Sequence, residues 1–279
     1  MKNFLIRTLS GAVYVTLIMF AVISYMWVAA LIFSILAALT VYEFHKNTNK
    51  LENVNVNPIA PALASFMLLL IVAATHFFPK EHINIQPIVF VVIYFSFCLY
   101  FFISEIFKNK PNPINNIAYT VLGQIYVALP FLLLLFIKGA HERGIFLLAF
   151  FVFIWVNDTF AYLTGTTFGK HRMCERISPK KSWEGFAGGL IGALAVAVVF
   201  SYFETQLNMA QWFGFAIIVV IFGTLGDLLE SLLKRTIGIK DSGTIMPGHG
   251  GLLDRFDSLL LAAPVVCIYL LFVSLQLCV

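Results

Sequence analysis

Charge is scarce in this chain. Only 11% of its 279 residues are Asp, Glu, Lys or Arg, against about 25% in ordinary soluble domains. With a mean hydropathy of +0.91, that shortage excludes an ordinary soluble globular protein. Cysteine is thin as well: Cys98, Cys174, Cys267 and Cys278 are scattered and form no CxxC pair, so neither a disulfide framework nor a zinc site is expected. There is no Walker A motif and no dinucleotide-binding GxGxxG. No internal repeat or inverted symmetry of the transporter kind is visible. The first apolar run continues to about Tyr42 without a cleavage site, so no removable signal peptide is expected. No nucleic-acid partner is expected either.

What is present is apolar sequence, 60% of the chain, with 29 phenylalanines. The phenylalanines read as bilayer-facing packing rather than a nucleobase box. Runs long enough to cross about 30 Å of hydrocarbon recur from end to end, which predicts an all-α, polytopic membrane protein. The tract from Ile6 to Tyr42 is too long for one crossing and divides near Ser24–Trp27 into two helices. Seven further spans follow at about 59–78, 88–107, 117–137, 144–166, 185–203, 211–233 and 257–277, giving about nine. The expectation is one membrane-embedded domain, residues 1–279, with N-terminal helices over 1–140 and catalytic helices and loops over 141–279.

Orientation follows from Lys and Arg. With nine spans, the N-terminus and the loops after spans 2, 4, 6 and 8 carry fifteen of the 18 basic residues. The opposite side holds Lys80, Lys138 and Arg143. Positive charge accumulates on the cytoplasmic side, so the N-terminus is expected there.

Carboxylates in or beside spans are costly and point to function. Glu43 and Glu105 lie at cytoplasmic helix ends, where snorkelling or capping accounts for them. Asp158, in "FIWVNDTFAYLTG" beside Asn157, falls within a span and should face the protein interior or a wet cavity. In "GTLGDLLESLLKR", Asp227, Ser231 and Lys234 form one helical stripe with Glu230 adjacent, either a functional cluster or an ion pair closing the helix end. Asp254 and Asp257 repeat the pattern where the last span begins. Basic residues occupy the loops after spans 6 and 8, together with Gly248, Gly250 and Gly251, whose backbone N–H groups can approach an anion closely. Carboxylates for a hard cation, cations for phosphate and glycine for close approach are the parts of phosphoryl or nucleotidyl transfer. A chain this apolar would then act on one lipid substrate and one highly phosphorylated, water-soluble one.

The stretch "SLLKRTIGIKDSGTIMPGHGGLLDRFDS", residues 231–258, resembles the signature of the phosphatidate cytidylyltransferases, also called CDP-diacylglycerol synthases. "NDTFAYLTGTTFGKHRMCERISPKKSWEGFAGG", residues 157–189, resembles the family's second block. The resemblance implies CTP + phosphatidate → CDP-diacylglycerol + pyrophosphate at the cytoplasmic face of the cell membrane, in an all-helical homodimer embedded among membrane lipids. It implies Mg²⁺ and a second, monovalent cation such as K⁺.

On that reading Asp227 and Asp254 hold the metal, with Asp257 as a further ligand or as an orienter of basic neighbours. Asp158 either joins them or orients basic neighbours. Lys234 and Arg235 neutralise phosphate or merely anchor the helix end. Ser231 bonds phosphate or packs. Ser178, Lys180 and Lys181 in "ISPKKSWEG" grip the CTP phosphates or the lipid headgroup, or form a plain basic patch for anionic lipid. Ser182 should cap the next helix, with Glu184 in its first turn. Lys240, Asp241, His249, Gly250, Gly251 and Arg255 complete the substrate site; His249 either donates to pyrophosphate or shapes the turn. The rival readings are a CTP-dependent lipid kinase, built of similar parts, and a secondary transporter using the acids as a proton relay.

Overall fold

The computed structural model describes residues 2–75, 85–108, 110–141, 143–246, 248 and 250–277. Lys80 and His249 therefore lie outside the described residues. The chain is an all-α membrane protein, with a small two-stranded sheet added. Six helical segments are long and apolar enough to cross a membrane, and three shorter apolar helices accompany them among the described residues.

The helices are α1 (Lys2–Ile23), α2 (Met26–Thr48), α3 (Ile59–Thr75), α4 (Ile85–Phe107), α5 (Pro113–Gly123), α6 (Leu129–Gly139), α7 (Ile145–Phe168), α8 (Trp183–Phe203), α9 (Met209–Ile237) and α10 (Leu253–Leu277). The break between α1 and α2 falls at Ser24–Tyr25, within the expected division. A π turn, Gln124–Ala128, joins α5 to α6, making one helical segment from Pro113 to Gly139. Pro130 has no N–H to return to the Tyr126 carbonyl, and the helix widens at that point.

The chain divides into two compact units: Met1–Leu135 with Asp241–Leu253, and Phe136–Lys240 with Asp254–Val279. In the first, α2 packs against α1, α3, α5 and the π turn. Gln124 of the π turn donates to the Pro61 carbonyl and accepts from the Ser65 hydroxyl, each at 3.1 Å. Widening the helix thus presents a side chain that ties it to α3.

In the second unit α7, α8 and α9 pack together around an aromatic core. Trp212 stacks on Phe200 and Phe215 at 5.2 and 5.9 Å between centroids, and Phe153 meets all three. Helix α9 begins with a capping box between Asn208 and Gln211, which satisfies otherwise orphaned N–H groups. Tyr269 of α10 donates to the Gln211 carbonyl at 2.7 Å.

Candidate active site

The basic sequence between α7 and α8 is a β-hairpin rather than the open loop expected. Strands β1 (Arg172–Cys174) and β2 (Ser178–Ser182) are antiparallel, pairing Arg172 with Ser182 and Cys174 with Ser178 across a register shift. Ser182 ends β2 and caps α8, accepting the Gly185 N–H at 3.1 Å. Glu184 occupies the first turn of α8, reaches back to the His171 ring at 2.6 Å and accepts the His171 N–H at 3.2 Å. The hairpin base is therefore tied to the helix it precedes.

That tie orients Lys181. Its Nζ lies 2.7 Å from Asp227 Oδ2 and donates to the Thr224 carbonyl at 3.3 Å. Above the pair opens a cavity of about 280 Å³. Asn157, Asp158 and Tyr162 of α7 line it, with Lys180 and Lys181 of β2, Phe186 of α8, Thr224 and Asp227 of α9, and Ser258 of α10. Asp158, expected to face an interior or a wet cavity, faces this one. The size suits the phosphate-bearing end of a ligand, since whole small-molecule sites occupy about 300–1,000 Å³.

The walls are held close by α8. A Cβ on Gly189 would collide with the Asn157 side chain, and one on Gly192 would fall 2.8 Å from the Phe160 ring. Only glycine admits α7 at this separation. On the far wall, a Cβ on Gly226 of α9 would meet the Asp257 carbonyl of α10.

A second cluster lies along α9 and α10. Lys234 Nζ is 2.5 Å from Glu230 and 2.6 Å from Asp254, with Glu230 fully buried. Ser231 donates to Asp227 at 3.3 Å, as the helical stripe predicts. Asp257 lies near enough to Asp227 and Asp158 to interact with both, while Glu230 feels Asp254 and Asp257. Asp257 thus relates the cavity acids to the Lys234 cluster. Arg255 is exposed and acts electrostatically on Asp158. Arg235 and Lys240 are exposed, and Ser178 is half-buried in β2.

Among the described residues no group of three or more His, Cys, Asp or Glu side chains converges as a ready metal site. Mg²⁺ needs less: it commonly takes one or two carboxylates and completes its shell with water and phosphate oxygens. Asp158 and Asp227, both opening on the cavity, fit that demand, with Asp257 beside them.

Asp241, Gly250 and Gly251 belong to the first unit. There the loop turns back on itself, Met246 N–H donating to the Gly250 carbonyl at 3.0 Å, with Gly248 and Gly250 at φ 76° and 88°. Sequence reasoning missed what holds it. Glu43 of α2, buried to 2% exposure, accepts from the Ser242 hydroxyl and from the N–H groups of Leu252 and Leu253 at 3.1 and 3.0 Å. Missed too were the Lys181–Asp227 pair and the cavity positions Thr224 and Tyr162. Both cavity positions left a signal, Thr224 one helical turn before Asp227 and Tyr162 one turn after Asp158.

A profile of the cytidylyltransferase family matches residues 5–273. The chain belongs to that family. It is 35% identical to the phosphatidate cytidylyltransferase of Staphylococcus haemolyticus over 268 residues, covering 95% of this chain and 98% of that protein. It is 36% identical to the Staphylococcus aureus protein of the same name over 244 residues, 86% and 89% of the two chains. Against the Staphylococcus epidermidis protein, again of that name, identity is 32% over 271 residues, 95% and 98%. Nearly the full lengths align, so the similarity extends well beyond the motifs.

Proposed function

We propose that this chain transfers the cytidylyl group of CTP to phosphatidate, giving CDP-diacylglycerol and pyrophosphate in phospholipid biosynthesis. The observation that carries the reading is an acid- and lysine-lined cavity walled by membrane helices, in a chain aligned along nearly its whole length with phosphatidate cytidylyltransferases. A phosphatidate oxygen forms the new bond to the α-phosphorus of CTP, the α–β bridging bond breaks, and the β- and γ-phosphates leave together. The nucleophile is already an anion, so positioning and charge neutralisation matter more than a strong base.

Lys180 and Lys181, which line the cavity, are the residues proposed to hold phosphate oxygens, and Lys234, bonded to Asp254, the one proposed to steady it. Asp227, Asp254 and Asp257, with Asp158, are the carboxylates proposed for Mg²⁺ and a monovalent cation. When bound, Mg²⁺ supplies neutralisation of the triphosphate and a Lewis acid at its oxygens.

The basic residues of the hairpin and of the α9 end support a site on the cytoplasmic side of the cell membrane, where positive charge accumulates. Cysteine at position 180 in a background free of native cysteine should resist an impermeant thiol reagent in intact cells; labelling from outside would reverse the orientation. The homodimer is tested by the mass of the detergent-solubilised protein.

The decisive assay asks which phosphorus reaches the lipid. With purified protein, Mg²⁺ and phosphatidate, α-³²P from CTP should enter the lipid phase while γ-³²P stays aqueous. Transfer of γ-label to an added lipid alcohol would establish a kinase instead.

A further inference from the structure

The loop 241–253 carries positions that the cytidylyltransfer reading assigns to the nucleotide, yet the residue that shapes its base sits far away in the sequence. Glu43 lies near the end of α2, and residues 243–251 are bracketed by its bonds. One carboxylate oxygen accepts from the Ser242 hydroxyl and the Leu253 N–H, the other from the Leu252 N–H. One helical turn on, Asn47 donates to the Ser242 carbonyl at 2.5 Å, and Lys50 in turn donates to Asn47 at 3.1 Å. Glu43 and Asn47 share one face of α2, and Lys50, in the turn just past the helix end, steadies Asn47.

The loop is fitted to this carboxylate. A Cβ on Gly243 would fall 2.5 Å from Glu43 Oε2, and a Cβ on Gly251 would collide with Oε1 and the Ser242 hydroxyl. Two glycines of the loop thus stand at its two ends where the acid must pass. Among the described residues no Lys or Arg forms an ion pair with Glu43. Its partners are donors of the loop and of the first residue of α10, where N–H groups left without helical acceptors favour an anion.

We propose that Glu43 is a positioning residue, a carboxylate latch that closes the base of the 241–253 loop and so preorganises it for the phosphates of the nucleotide. The ligand rests on the cytidylyltransfer reading; the latch does not. Glutamine at this position keeps the shape but turns one acceptor into a donor that faces another donor. A loop ordered in advance binds its ligand without first losing its conformational freedom, so the effect should fall on CTP binding rather than on the lipid or the chemical step.

The test uses the full-length protein in detergent. Glu43→Gln should speed hydrogen exchange at the Leu252 and Leu253 amides at least tenfold. It should raise KM for CTP about tenfold or more, the weight of a lost hydrogen bond to a charged group, with KM for phosphatidate and kcat little changed. Ser242→Ala removes one bond of the latch and should give the same pattern more weakly; it decides the matter if Glu43→Gln does not fold. Unchanged exchange at Leu252 and Leu253 overturns the latch, whatever the activity. Faster exchange with equal loss toward both substrates leaves Glu43 a fold-stabilising residue and overturns the positioning role. If the unmodified protein transfers no cytidylyl group, the functional reading falls, and the exchange measurement still judges the latch.

Discussion

Lys181 and Asp227 face each other at the floor of one cavity, an ammonium 2.7 Å from a carboxylate, although one belongs to a β-strand and the other to a membrane helix. Their side chains are 23% and 32% exposed. A pair so open contributes about 0–1 kcal/mol to folding, so on the proposed reading it serves to fix charge rather than to stabilise the protein. Lys181→Met should leave the melting temperature nearly unchanged while kcat/KM for CTP falls about 100-fold, the scale of one lost electrostatic donor. Combined with Asp227→Asn the losses should be far from additive, because the two act as one unit. Additive losses would show that they work apart.

Asp227→Asn and Asp254→Asn each remove one charge with little change of shape. Losing a metal-binding carboxylate costs about 3–4 kcal/mol of transition-state stabilisation, or about 10²–10³-fold in rate. Both variants should also need more Mg²⁺ for half-maximal rate. Folded variants that keep over about a tenth of the activity, with an unchanged Mg²⁺ requirement, would remove these residues from the metal assignment.

Two substitutions on α8 should differ in kind. Ser182→Ala removes a cap and should cost about 1 kcal/mol. Gly189→Leu forces a side chain into Asn157 and should cost about 1–3 kcal/mol by overpacking. The larger change should also abolish turnover by spreading the cavity walls. Thermal unfolding in detergent ranks the two, and an unaltered melting point for Gly189→Leu would contradict the close packing of α7 and α8.

The helices were legible because each apolar run is bounded by polar or glycine-bearing sequence. The break at Ser24–Tyr25 and the cap at Ser182 follow from local chemistry alone. The hairpin was not legible: Pro179 and the lysines interrupt the alternation that marks a strand. The acids and lysines of the site could be named from their types and spacing, but not paired. Nothing local distinguishes Lys181, which meets Asp227, from Lys180 beside it. Glu43 was read as a helix-end acid, and the bond that reveals more spans 199 positions of chain. Sequence periodicity reports which face a residue lies on, and contacts of that range are decided by packing.

The glycine-lined contact of α8 with α7 has an entropic consequence. Glycine has no side-chain rotamers to freeze, whereas a long side chain gives up as much as about 2 kcal/mol of rotamer freedom when buried. A wall built of backbone against side chain at Gly189 and Gly192 freezes rotamers on α7 only, while glycine itself gives up more backbone freedom on folding than any other residue. The spacing between Asp158 on α7 and Lys181, near the end of the strand that leads into α8, is thus bounded by a backbone contact that cannot adapt by changing rotamer.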